Sequence, residues 1–277
     1  MKIVYFGSDV FFSCFEYLAE KHEIMALYTY HNDEDFFNEN RIVEKAKAHG
    51  IPVHYEELTQ DQVRELFENQ GCELFFIAEY DKKLPVPEDP KQFRGINVHS
   101  SLLPQGRSYY PIECAMEREL PKTGVTMHKI TNDLDCGDIL DQREVTITEQ
   151  MDSIDIYLKN AENTLLMLQA LMEDFEGTWN QAQPQGEVIP YWKRPADALL
   201  RVTHDMTVAE ALGCFRKFNG MTEVILNGKI HFVFAMMPGS AMLPKPEMQV
   251  KADLWLFALA DGHIRVTVLE KKQENRK

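Results

Sequence analysis

The sequence has no run of about 18 or more apolar residues, the minimum for a membrane-spanning helix. Its N-terminus, MKIVYFGSDVFF, begins with a strand pattern and lacks the charged, apolar and small-residue regions of a signal peptide. The five cysteines are scattered without a C-x-x-C pair, which is typical of reduced thiols. We therefore expect a cytoplasmic protein that has no membrane partner.

Several common catalytic motifs are also missing. The first strand is followed by FGSDVFF rather than G-x-G-x-x-G, which argues against a conventional dinucleotide site. No G-x-S-x-G elbow occurs, so a covalent acyl-enzyme on serine is not indicated. No H-E-x-x-H or H-x-x-E-H pattern occurs, and we expect no bound metal.

Basic residues are scarce in most of the chain. The formal net charge is −15, which argues against general nucleic-acid binding because phosphate neutralisation needs clustered Lys and Arg. Residues 1–189 carry 16 basic and 35 acidic side chains, whereas residues 190–277 carry 13 and 9. This difference predicts that the C-terminal part is a separate domain.

The first half of the chain alternates strand-like and helix-like segments, such as KIVYF, IMALYTY and ELFFIA separated by amphipathic stretches. This alternation predicts an α/β fold with a Rossmann-like, open and mostly parallel sheet and helices on both faces. We expect a catalytic domain at 1–180. The stretch EGTWNQAQPQG has the composition of a linker, which we assign to 181–190.

The C-terminal segment, 191–277, contains two hairpin signals. An NG pair at 227–228 and a DG pair at 261–262 each separate alternating apolar runs. They predict a small β-rich, OB-like C-terminal domain.

Two polar residues, Asn97 and His99, alternate at the end of the predicted strand GINVH. Residues two apart on a strand share a face, and an amide and an imidazolium can both donate hydrogen bonds to one oxyanion. A nearby aspartate would orient the histidine, and spacing leaves Asp133, Asp135 and Asp138 open for that role. His128 alternates with apolar residues, as a core histidine does.

Two segments together carry a family resemblance. GINVHSSLLP, followed by TGVTMHKITNDLDCGDIL, resembles the paired motif of the formyltransferases that use 10-formyltetrahydrofolate, and the likeness extends over the N-terminal 180 residues. The resemblance implies that Asn97 and His99 bind the oxygen of the transferring formyl group and that Asp135 works with His99. It also implies 10-formyltetrahydrofolate as the co-substrate, and a small-molecule amine as the acceptor.

By the same resemblance, the pterin of the folate lies against two segments and is contacted largely by main chain. The expected cofactor-binding residues are Leu84, Pro85, Asn132, Asp133 and Gly137.

The acceptor is harder to predict. PYWKRPADALL and the segments after it resemble the second domain of methionyl-tRNA formyltransferases and of amino-sugar formyltransferases. The insert YTYHNDEDFFNEN (28–40) has four acidic residues and no Lys or Arg, which opposes a tRNA backbone. An amino-sugar nucleotide is therefore the favoured acceptor. We assign acceptor contacts to Arg107, Tyr109 and Tyr110, where GRSYYP departs from the small residues usual in the family.

Two other functions stay open at this point. Methionyl-tRNA formylation fits the two-domain layout and the mildly basic C-terminal part. A folate- or nucleotide-binding protein without turnover would bind tightly and release no product. A homodimer is expected by family analogy alone.

Overall fold

The computed structural model describes residues 1–31, 40–87, 93–187 and 189–270, so most of the acidic insert (28–40) lies outside the described residues. The chain divides into two compact units. Unit 1 comprises Met1–Pro111, Pro121–Ile147 and Ile156–Trp192, and unit 2 comprises Ile112–Leu120, Thr148–Asp155 and Lys193–Lys277.

The described residues of unit 1 form a seven-stranded sheet in the order β3-β2-β1-β4-β5-β6-β7. Its strands are β1 (Lys2–Gly7), β2 (Glu23–Tyr28), β3 (Val53–His54), β4 (Leu74–Ala78), β5 (Gly95–His99), β6 (Lys122–Lys129) and β7 (Ile139–Thr146). The pairs from β3 to β5 are parallel, whereas β6 is antiparallel to β5 and to β7. The expectation of a mostly parallel sheet is confirmed.

Helices connect these strands and follow them. They are α1 (Phe12–Lys21), α2 (Arg41–Ala48), α3 (Gln60–Glu68), α4 (Pro111–Glu117), α5 (Ser153–Glu173) and α6 (Phe175–Asn180). α3 begins at a capping box, in which Thr59 and Gln62 exchange hydrogen bonds with each other's main-chain N–H. α6 occupies part of the stretch whose composition predicted a linker, because the Asp174 side chain accepts a hydrogen bond from Gly177 N and caps the helix.

The central strands of unit 1 are buried on both faces. On β1, Ile3 and Tyr5 belong to one apolar cluster, while Val4 and Phe6 belong to another. Successive strand residues point to opposite faces, so the two clusters lie on opposite sides of the sheet. Full burial of one such side chain contributes about 1.5–3 kcal/mol. The near-continuous apolar runs in the sequence follow from this double burial.

Unit 2 contains α7 (Asp197–Leu200), α8 (Val208–Lys217) and an antiparallel sheet in the order β10-β11-β12-β9-β8. The strands are β8 (Glu223–Leu226), β9 (Lys229–Gly239), β10 (Glu247–Gln249), β11 (Leu254–Leu259) and β12 (Gly262–Glu270). This curled sheet confirms the predicted β-rich C-terminal part.

The two predicted hairpins are present, with one difference. Asn227 and Gly228 both have positive φ, 50° and 75°, as a type I′ turn requires. In the second hairpin Leu259 pairs with Gly262, so Ala260 and Asp261 form the turn and the glycine opens β12. The Asp261 carboxylate instead accepts a hydrogen bond from Val208 N at the start of α8.

The segment after α6 is attached to unit 1. Gln183 and Ile139 exchange two main-chain hydrogen bonds, with N–O distances of 2.7 and 2.8 Å. Unit 1 accordingly extends to Trp192. The domain boundaries at 180 and 190 stay predictions.

Candidate active site

Asn97 and His99 lie at the carboxyl end of β5, and the register of β5 with β6 decides what surrounds them. Asn97 pairs with His128 across the antiparallel ladder, and His99 pairs with Thr126. The Asn97 amide donates a hydrogen bond to His128 Nε2 at 3.1 Å. This pairing joins the two segments of the motif, NVH and VTMH, at one place on the sheet.

His128 is part of this site although its sequence pattern suggested only a core position. Its Nδ1–H donates to the Lys129 carbonyl at 2.9 Å, so Nε2 keeps a lone pair that accepts from Asn97. Burial lowers the pKa of His128 to about 4, an effect that Asp135 partly offsets and His99 reinforces. His128 is therefore neutral at physiological pH and orients the Asn97 amide. The sequence could have indicated this role for His128 if the two predicted strands had been aligned as a pair, with His128 opposite Asn97.

Asp135 follows β6 in the acidic turn 131–138. Its Oδ1 lies 3.5 Å from Asn97 Nδ2, 3.6 Å from His99 Nδ1 and 3.8 Å from His128 Nε2. Its side chain is 12% exposed. The other two aspartates lie elsewhere: Asp133 is exposed, and Asp138 pairs with Lys129 at 3.7 Å. Of the three aspartates that spacing left open, Asp135 is the one that approaches both Asn97 and His99.

The second nitrogen of His99 is also engaged. His99 Nε2 donates to the Gly106 carbonyl at 3.0 Å, and the residue is 8% exposed. The imidazole therefore stands between a carbonyl on one side and the Asp135 carboxylate on the other. Only the Gly106 carbonyl accepts a hydrogen bond from His99, because the 3.6 Å contact of Nδ1 with Asp135 Oδ1 is too long for a good one. Nδ1 therefore stays available to a ligand.

The loop after β5 is held by a buried threonine. Thr126 Oγ1 donates to the Ser101 carbonyl at 2.6 Å and accepts from Leu103 N at 3.1 Å. It also accepts from Gln142 Nε2 at 2.8 Å. These bonds fix the turn that carries Gly106, and through it the His99 ring.

A cavity of about 150 Å³ opens beside these residues. Asn97, His99, His128 and Asp135 all line it. It lies at the carboxyl end of β4 and β5, where open α/β sheets bind ligands. The other lining residues are Ile77, Glu79, Tyr80, Asp81, Lys82, Lys83, Leu84, Val98, Ser100, Ser108, Tyr109, Pro111, Ile130, Thr131, Asp133, Leu134, Tyr157 and Tyr191.

Two of the five residues expected to bind the pterin line this cavity. Leu84 and Asp133 do so, whereas Pro85, Asn132 and Gly137 lie outside its lining. Gly137 has a different structural role, because a Cβ there would lie 1.8 Å from the Lys129 carbonyl oxygen. Glycine is thus required for the turn to pass that close to β6.

Two polar groups on the cavity wall were not marked by any sequence pattern. The Tyr80 hydroxyl and Ser100 Oγ are buried and have no hydrogen-bond partner among the described residues. Burial, with a further contribution from Asp81, raises the pKa of Tyr80 to about 12. Buried polar groups without partners are costly, so these two are suited to meet a bound ligand.

The three residues assigned to the acceptor occupy different positions. Tyr109 is 66% exposed, lines the cavity and lies edge-on to Tyr191, with ring centroids 6.1 Å apart. Tyr110 is half-buried and lies outside the lining, with its N–H bonded to Ser108 Oγ at 3.0 Å. Arg107 donates to the Leu134 carbonyl at 2.6 Å and to the Ile189 carbonyl at 3.3 Å.

Within the described ranges, no group of three or more His, Cys, Asp and Glu side chains is arranged to hold a metal ion. None of the helices in the described part of the chain combines the length and apolar character needed to cross a membrane.

Comparison with protein families matches residues 19–170 to the family described as formyl transferase. A methionyl-tRNA formyltransferase from Sulfurihydrogenibium sp. (strain YO3AOP1) is 32% identical over 160 residues, which cover 56% of this chain and 51% of the relative. The chain spans about half the length of the curated relatives it matches.

Two solved structures share the fold. HypX from Aquifex aeolicus in complex with tetrahydrofolic acid superposes with a TM-score of 0.69 at 19% identity, covering 99% of this chain and 45% of that chain. An N-formyltransferase from Helicobacter canadensis, in complex with folinic acid and dTDP-3-aminofucose, gives 0.60 at 16% identity and covers 98% and 99%.

Proposed function

The chain belongs to the formyl transferase family, and on that premise we propose that it transfers a formyl group from 10-formyltetrahydrofolate to a primary amine. The observation that carries the proposal is the position of Asn97, His99 and Asp135. The Asp135 carboxylate lies 3.5 Å from the Asn97 amide and 3.6 Å from the His99 imidazole, and all three residues line a cavity. Such a group can stabilise an oxyanion and accept a proton.

In the proposed reaction an unprotonated amine attacks the formyl carbon. The carbonyl oxygen gains negative charge and accepts hydrogen bonds from Asn97 and His99. Asp135 holds His99 and takes the proton of the amine, directly or through a water molecule. The bond between the formyl carbon and the folate nitrogen then breaks, and that nitrogen takes up the proton. The products are tetrahydrofolate and the N-formyl amine.

The folate is proposed to lie against the segment around Leu84 and Pro85 and against the turn from Asn132 to Gly137. The side chains of Leu84 and Asp133 line the cavity there. The Tyr80 hydroxyl and Ser100 Oγ offer hydrogen bonds to polar atoms of the pterin or of the formyl group. The related folds that contain tetrahydrofolic acid or folinic acid support this choice of co-substrate.

The acceptor is proposed to be an amino-sugar nucleotide. The insert 28–40 carries four acidic residues without Lys or Arg, which disfavours a tRNA backbone. Tyr109 and Tyr191 present exposed aromatic rings at the cavity, suited to stacking on a base or a sugar ring. The Helicobacter canadensis protein with dTDP-3-aminofucose supports the same class. Acceptor contacts by Arg107 and Tyr110 stay predictions.

Methionyl-tRNA is the second candidate acceptor. It is favoured by the sequence relatives, which are methionyl-tRNA formyltransferases, and by the excess of basic residues at 190–277. Charged tRNA would then bind at low salt, and binding would weaken steeply as salt rises.

The test is release of tetrahydrofolate, followed by its absorbance change. The protein is offered 10-formyltetrahydrofolate with a panel of amino-sugar nucleotides, and in parallel with methionyl-tRNA, using Asp135→Asn as the blank. We expect turnover with a sugar nucleotide that is absent from the blank. Turnover with tRNA alone would overturn the proposal of an amino-sugar nucleotide as the acceptor. Folate binding without any turnover would overturn the proposal that the protein is an enzyme.

A further inference from the structure

The turn that carries Asp135 is held from outside by a glutamine some fifty residues later in the chain. Gln185 Nε2 donates to the Asp135 carbonyl at 3.0 Å and to the Gly137 carbonyl at 2.7 Å. We infer that Gln185 is a positioning residue, which keeps the Asp135 carboxylate against Asn97 and His99. The inference rests on the proposed formyl transfer and adds to it a residue outside the family motif.

The donors and acceptors match in number. A carboxamide NH₂ group has two hydrogens, and both are used on main-chain carbonyls that flank Cys136. Because both partners are carbonyl oxygens, the NH₂ end of Gln185 must face them. A third carbonyl of the same turn, that of Leu134, accepts from Arg107 at 2.6 Å. Side-chain hydrogen bonds therefore hold the main chain on both sides of Asp135.

The carboxylate itself does little to hold the turn. Its contacts with Asn97, His99 and His128 are 3.5 to 3.8 Å long, outside the range of a good hydrogen bond. Asp135 also has a φ of 55°, in the left-handed region that residues other than glycine seldom adopt, although aspartate does so more readily than most. A residue in that conformation, with weak side-chain contacts, depends on the hydrogen bonds of its main chain.

Gln185 is well placed to supply them. It lies two residues after Gln183, whose main chain forms a two-way bridge with Ile139 at the start of β7. The segment that carries Gln185 is therefore attached to the same sheet as the turn. Gln185 is half-buried and lies outside the cavity lining, so it acts through Asp135 rather than on a substrate.

The test compares Gln185→Ala, Gln185→Glu and Gln183→Ala in the full chain. Gln183 is an exposed neighbour whose side chain donates only locally, to the Gln181 carbonyl, and it serves as the matched control. Loss of Gln185 should lower kcat about 10- to 100-fold, the cost of a displacement near 1 Å. KM for the folate should stay close to that of the wild type. Gln185→Glu would place a carboxylate against two carbonyl oxygens and should be at least as harmful.

A second readout does not depend on turnover. Amide hydrogen exchange of residues 134–138 should quicken in Gln185→Ala and stay unchanged in Gln183→Ala, while the melting temperatures remain alike. Wild-type kcat and wild-type exchange in Gln185→Ala would overturn the inference. If the wild type itself shows no turnover, the proposed function fails, and the exchange experiment still decides whether Gln185 holds the turn.

Discussion

Two carboxylates of low exposure, Glu223 in unit 2 and Asp135 in unit 1, have partners at different distances. In unit 2, Glu223 is 3% exposed and accepts from Arg201 at 3.0 Å, and the Thr222 hydroxyl donates to the Phe218 carbonyl at 3.0 Å. In unit 1, the Asp135 carboxylate faces three polar groups at 3.5 to 3.8 Å. Close partners indicate a structural role, whereas long contacts around a carboxylate beside a cavity leave room for a ligand.

This contrast separates rate from stability. A substitution of Asp135 in unit 1 should change turnover and leave the folded state nearly as stable. A substitution in the Arg201–Glu223 pair of unit 2 should lower the stability and leave turnover nearly unchanged.

The largest effect is expected for Asp135→Asn. The substitution keeps the shape of the side chain but removes the charge that orients His99 and accepts the proton. In the Ser-His-Asp triad of serine proteases, the same change of Asp to Asn lowers kcat by about 10⁴. We expect a loss of about 10³ or more, with a melting temperature within about 2 °C of the wild type, since the carboxylate has no close partner to lose. A loss of less than tenfold would mean that Asp135 is not part of the reaction.

The next largest expected effect is on the stability of unit 1 in acid. His128 has a folded pKa of about 4, below its value of 6.5 when solvated, so the unfolded chain binds the extra proton between these values. The contribution of neutral His128 to the free energy of unfolding is therefore complete above about pH 6.5 and is lost as the pH falls through 4. At 1.36 kcal/mol per unit, the loss is on the order of 3 kcal/mol.

The measurement is the free energy of unfolding from pH 7 to pH 4 for the wild type and for His128→Gln. The difference between their slopes isolates His128 from other titrating groups. Parallel pH curves would contradict the assignment of a neutral, buried imidazole.

Glu223→Gln tests the opposite side of the comparison. Breaking a buried ion pair costs about 3–5 kcal/mol, and because Arg201 is 29% exposed we expect about 2 kcal/mol here. The unfolding transition that includes unit 2 should move to lower temperature in calorimetry, while kcat per folded molecule is unchanged. Asp253→Asn, an exposed change in the same unit, is the control. A fall in kcat without a shift of that transition would break the proposed separation of roles.

Much of this arrangement is predictable from the sequence. The apolar runs of β1 and β4 indicate a sheet covered on both faces, and the alternation of Asn97 with His99 places both on one face. Resemblance to a family motif was needed to choose Asp135 among three aspartates, because a turn can direct any of them toward β5.

Other parts of the site depend on three-dimensional details that spacing does not encode. His128 reaches Asn97 through the register of β5 with β6, which is a property of the pair and not of either strand. Gln185 binds main-chain carbonyls, whose direction follows from the conformation of the turn at Asp135. Tyr109 and Tyr110 are adjacent and alike in the sequence, yet the first lines the cavity and the second does not.

That last difference gives the smallest expected effect. Tyr109 is exposed at the cavity beside Tyr191, so Tyr109→Ala should raise the KM for the acceptor about fivefold, equivalent to about 1 kcal/mol of lost stacking. KM for the folate and kcat should change little. Tyr110→Ala, made next to it, should have a smaller effect on the acceptor because its side chain lies outside the lining. Equal effects of the two variants on acceptor KM would show that proximity to the cavity does not decide which tyrosine contacts the acceptor.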